Sequence, residues 1–74
     1  MIVRTWQYGT RKTGVVCTWH QTKRDSVVLV TGDDGEGYIL IGERTPVDAH
    51  QRVVIEFTRG GPTGGYWKIV EIVQ

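Results

Sequence analysis

The residues with chemistry to offer are aromatics interleaved with cations. Arg4-Thr5-Trp6-Gln7-Tyr8, Trp19-His20-Gln21-Thr22-Lys23-Arg24 and Tyr66-Trp67-Lys68 each set one or two flat rings beside basic side chains. Bases stack on aromatic faces while cations hold the phosphate backbone, so this combination suits single-stranded nucleic acid. On strand periodicity Trp19 aligns with Val15 and Cys17 and is expected in the core, while Trp6 and Tyr8 share a face with Arg4. Trp67 falls with Ile69 and Val73, which leaves Tyr66, on the side of Lys68, as the exposed ring of that pair.

Other constellations are weaker. Gly60-Gly61-Pro62-Thr63-Gly64-Gly65 could wrap backbone N–H groups around a phosphate. It lacks the Gly-Lys-Ser/Thr ending of a phosphate-binding loop and reads instead as a hairpin connection. Asp33-Asp34-Gly35-Glu36 has carboxylates for a hard cation, but Asp-Gly is what a tight turn itself requires. Two histidines, one cysteine and one serine form no nucleophile or acid/base pattern, so no catalysis, metal or cofactor is expected.

The elements that must position these groups are strands. Val, Thr and Ile fill 26 of 74 positions, whereas Ala occurs once and Leu twice. Branching at Cβ fits a pleated surface and disfavours helix. Extended runs are expected at Ile2 to Tyr8 and Thr13 to His20, separate or as one strand bent near Gly9 and Gly14. Ser26 to Thr31 follows; its Val27-Val28-Leu29-Val30 is apolar on both faces and therefore expected to be central. Asp34-Gly35 predicts a two-residue hairpin of type I′ leading into Gly37 to Gly42. Thr45-Pro46-Val47-Asp48 carries the signals of a helix start and predicts a short helical turn near residues 46–50. Arg52 to Thr58 and Gly65 to Val73 close the list, the former with Val53, Ile55 and Phe57 aligned.

That order predicts one all-β domain over residues 1–74: a small five- or six-stranded barrel, OB-like or SH3-like, with one short helical turn. In the OB-like case the loops flanking the binding face are Gln21 to Asp25 and Arg59 to Gly64, which supply Lys23, Arg24 and Arg59.

Net charge is +1, but it is arranged in blocks: +5 over residues 1–24, −5 over 25–48 and +1 over the remainder. A basic face could therefore hold phosphates, unless neighbouring strands pair these charges across the sheet. The leading expectation is a nucleic-acid-binding module, single-stranded DNA or RNA, using Arg4, Trp6, Tyr8, Arg11, Lys12, Lys23, Arg24, Arg59 and Tyr66. The alternative is a protein-interaction module (adaptor, inhibitor or assembly subunit) that binds through a strand edge or an aromatic patch. A lone cysteine and the lack of a long apolar run lead to a cytoplasmic protein with no membrane contact, and a homo-oligomer is as compatible as a monomer.

Overall fold

The computed structural model describes residues 6–61 and 64–73. It is all-β: five antiparallel strands in one sheet, β1 (Arg11–Gln21), β2 (Ser26–Gly32), β3 (Gly37–Ile41), β4 (Arg52–Arg59) and β5 (Gly65–Val73). Their order across the sheet is β3-β2-β1-β4-β5. The long β1 joins the two halves, pairing with β4 over Arg11 to Val15 and with β2 over Gly14 to Gln21. Of the expected first run, residues 2–5 lie outside the described residues and Trp6 to Tyr8 are not strand. The described residues thus form five strands.

The sheet curls but does not close into a barrel. Its two outer strands, β3 and β5, come within 8 Å of one another, Cα to Cα, without pairing. Inward-facing Val16, Val28, Val30, Leu40, Val53 and Ile55 are almost wholly buried. An aromatic cluster fills the rest of the interior: Trp67 lies edge-on to Tyr38 at 4.9 Å and packs against Phe57 and Trp6, each at 5.3 Å between centroids. Such tilted and edge-on pairs are the favoured geometry for aromatic rings.

Three local expectations are corrected. Cys17 is the extra residue of a β-bulge between Val16 and Thr18, which changes the phase of β1 halfway along. Val16 is therefore the buried residue, while Cys17 and Trp19 are exposed and Val15 is half-buried. The C-terminal half of β1 also runs past the end of β4, so only one side of it is paired.

The Asp34-Gly35 hairpin forms, but with three loop residues. Gly35 N–H donates to the Gly32 carbonyl at 2.9 Å and Gly32 N–H to the Glu36 carbonyl at 2.8 Å. Only Gly35 of the loop has positive φ, at 82°, which is a turn followed by a glycine bulge rather than type I′. Asp34 fixes this form, because its carboxylate accepts the Glu36 N–H at 3.0 Å and the Tyr38 hydroxyl at 2.6 Å.

No helix forms over 46–50. The backbone there is claimed otherwise: His50 N–H donates to the Val16 carbonyl of β1, Asp48 N–H to the side chain of nearby Gln51, and Val47 is drawn into the core. The segment leading into it is tied down by Ser26 Oγ, which donates to the buried Glu43 carbonyl, and by Gln21 Nε2, which reaches the Glu43 and Thr45 carbonyls at 2.9 Å each. Ser26→Ala should cost about 1 kcal/mol in urea unfolding, since Gln21 still satisfies the Glu43 carbonyl. Gln21→Ala combined with it should cost more than the two single losses added, because no donor then remains.

The Asp34 carboxyl is held below its ordinary pKa, chiefly by the Tyr38 hydroxyl, then by the Glu36 N–H and the charge of Lys12. A depressed folded-state pKa contributes stability that is present above the unfolded value and is lost as pH falls through the folded one. Tyr38→Phe should accordingly raise the Asp34 pKa, read from its carboxyl carbon by NMR, and flatten the acid limb of the stability profile.

Candidate interaction surface

The open side of the sheet, between β3 and β5, is a slot into the aromatic interior with a volume of about 600 Å³. Trp6, Phe57 and Trp67 line it from within, and Ile39, Ile41 and Tyr66 form its rim. Among the described residues that line it, none is charged. The rim is unusually apolar for a surface, with Ile39 60% and Ile41 74% exposed.

Backbone geometry explains why this side stays open to partners. Gly32 bonds to Glu36 and Gly42 to Ser26 across the β2–β3 ladder. Hydrogen-bonded pairs alternate along an antiparallel ladder, so Gly37, Ile39 and Ile41 turn their N–H and C=O groups away from β2 and into the slot. Beyond β3 the two sides are joined by Glu43, whose carboxylate accepts the Ile69 N–H at 3.3 Å and so bridges the segment after β3 to β5.

Three of the expected site residues gather at the mouth. The Tyr8 ring stacks on Phe57 (5.7 Å between centroids, 7° between planes), and its hydroxyl donates to the Gly64 carbonyl at 2.6 Å. The Arg59 guanidinium sits 5.0 Å over the same ring, within cation–π range. Tyr66 is 42% exposed, its ring lying beside Gly60 and Gly61 of the β4–β5 turn. Trp6, by contrast, is half-buried and lines the slot, packed against Tyr38, Phe57 and Trp67.

The remaining cations are placed elsewhere or matched by acids. Arg11 pairs with Glu56 at 3.0 Å and Lys12 with Asp34 at 3.6 Å. Arg52 likewise pairs with Asp33 at 3.0 Å. Lys23 and Arg24 stand in the β1–β2 loop, at the far end of the eleven-residue β1 from Arg59, roughly 30 Å away along the strand. Arg4 lies outside the described residues. Antiparallel pairing thus divides the basic set, and cross-strand acids take up part of it.

Sequence reasoning did not single out Ile39, Ile41, Phe57 and Trp67 as surface or slot residues. A signal existed for the first two: β2 and the strand after it are both apolar at odd and even positions. Two such strands side by side must leave one apolar face outside.

The chain is thus a small all-β protein whose curled five-stranded sheet is open at one seam. It matches no known protein family, no curated protein and no solved structure.

Proposed function

We propose that this is a non-catalytic protein-interaction module, an adaptor or assembly subunit built on a partly open, OB-like barrel, which receives apolar side chains of a partner at the β3–β5 seam. The observation that carries this reading is the aromatic slot, apolar in its described side chains and rimmed by exposed Ile39 and Ile41. Contiguous exposed apolar surface with a polar surround marks interaction sites in small soluble domains. The long β1 shared by both halves of the sheet supports the OB-like description.

The test is selection of a random-peptide display library on the immobilised protein. Trp19→Phe leaves Trp6 and Trp67, both in the slot, as the only fluorophores of that kind. Selected peptides should carry large apolar residues, perturb that fluorescence and bind with little salt dependence. Ile41→Glu should weaken them about ten- to a hundredfold, the value of one buried aliphatic side chain. Failure of selection to enrich any peptide dependent on Ile41 would sink the reading.

A second reading, single-stranded nucleic acid, is favoured by the Tyr8–Arg59 stack beside Tyr66 at the slot mouth. Titration of Trp19→Phe with single-stranded DNA and RNA oligonucleotides tests it. Saturable quenching that falls steeply with salt, with a shallower salt slope in Arg59→Ala, is the outcome this reading requires.

A further inference from the structure

The outer face of β1–β2–β3 carries two cross-strand rows, Thr18–Leu29–Ile39 and His20–Val27–Ile41. Directly paired residues in a ladder share a face, so the four aliphatic side chains form one continuous patch. This patch runs over the edge of β3 into the seam, since Ile39 and Ile41 belong to both.

The two ends of the patch differ in charge. At the β1–β2 loop, Lys23, Arg24 and Arg44 face Asp25 as the only exposed acid. Arg44 is fixed there by the Thr22 carbonyl and lies 3.3 Å from that of Arg24. At the β2–β3 turn, Asp33, Asp34 and Glu36 outnumber Lys12 and Arg52, which pair with the two aspartates. An apolar strip is thus bounded by a net basic end and a net acidic end.

We infer that the partner fitting this face is a second copy of the chain, packed face to face about a two-fold axis that crosses β2 and β3 at right angles to the strands. An axis in that direction reverses the strands and sets the basic end of each copy on the acidic end of the other, twice over. An axis along the strands would put like charge on like. Symmetric self-association makes one patch its own complement, so every apolar contact and every charge contact counts double. This inference rests on the protein-interaction reading and names the partner.

Sedimentation velocity over a concentration series tests it on the whole chain. Wild type should form a reversible dimer, weakened by salt. Ile41→Glu, at a position exposed enough to leave folding intact, should raise the dissociation constant at least about a hundredfold, since two copies are lost per dimer. Lys23→Glu with Arg24→Glu makes both ends acidic, and Asp33→Lys makes both ends basic. Each alone should weaken the dimer. That weakening is particular to the end-to-end reversed geometry, since an axis along the strands sets like charge on like already in the wild type; an equimolar mixture of the two, one face acidic and the other basic throughout, should recover a heterodimer. Circular dichroism confirms folding of each variant.

Three results would overturn the inference: wild type monomeric at millimolar concentration, a dimer indifferent to Ile41→Glu, or no recovery on mixing. The first, with Ile41-dependent peptides still selected, leaves the interaction module standing and assigns the face to a different chain. Loss of both removes the underlying reading as well.

Discussion

Replacement of Trp67 by alanine is expected to remove about half of the domain's stability or more. Trp67 is 6% exposed and touches Trp6, Tyr38 and Phe57, so its removal takes away the shared contact of the whole aromatic cluster. Aromatic-to-alanine changes in cores cost about 3–5 kcal/mol. A chain of this size has a total of roughly 4–11 kcal/mol at the usual stability per residue. The sheet has no closing ladder between β3 and β5 to compensate, and the slot already removes packing atoms from one side of the cluster. Urea unfolding should show a midpoint shifted by more than half of the wild-type value, or no folded baseline. Trp19→Ala, at a side chain 43% exposed, is the internal control and should cost less than about 1 kcal/mol. Equal effects at the two positions would mean that the aromatic cluster does not hold the interior together.

Gly14→Ala should be strongly damaging for the addition of a single methyl group. Gly14 is buried where β1 is paired on both sides, opposite Gly32 of β2 and Val53 of β4. A β-carbon there would lie 2.5 Å from the Thr31 carbonyl oxygen, 2.8 Å from Val30 Cγ1 and 3.0 Å from Gly32 Cα. Two of these three are backbone atoms in a central ladder and cannot turn aside as a flexible side chain would. The change should cost about 1–3 kcal/mol or more by overpacking, measured as a loss in thermal midpoint. Gly37→Ala, with nothing within 4 Å of the added carbon, should stay near wild type. A Gly14→Ala protein as stable as wild type would show that the β1–β2–β4 crossing can spread at little cost.

The functional proposals turn on where charges end up rather than on how many there are. Blocks of +5 and −5 along the chain suggested a basic face, yet antiparallel pairing sets Arg11 beside Glu56, and the β2–β3 turn brings Asp34 to Lys12 and Asp33 to Arg52. Exposed pairs of this kind add little to stability, about 0–1 kcal/mol each. Their larger consequence is to reduce the field available to a polyanion. What they leave open is the Arg59 mouth of the slot and the Lys23–Arg24–Arg44 end of the patch.

Much of the architecture was legible in the residues. β-Branched composition, period-two alternation in Val53, Ile55 and Phe57, and the Asp34-Gly35 turn placed the later strands nearly to the residue. The departures arise where specific hydrogen bonds or a bulge override a local pattern. Helix-start residues at Thr45 to Asp48 yielded to bonds with Val16 and Gln51. The alternation that placed Trp19 in the core was reset by the bulge at Cys17, and nothing in Val16-Cys17-Thr18 marks one.

The sequence by itself determined the class of structure and the strand content, because Cβ branching, alternation and glycine turns act over a few residues. It also determined that β2 and β3 would have no polar face, since their apolar residues occupy both phases. Only the tertiary structure decided that β3 and β5 would stop short of pairing, that three of the described expected site residues would meet at one mouth while Lys23 and Arg24 went to the opposite end, and that cross-strand acids would take up Arg11 and Lys12. Those outcomes depend on the order and direction of strands far apart in the chain, which local spacing does not encode.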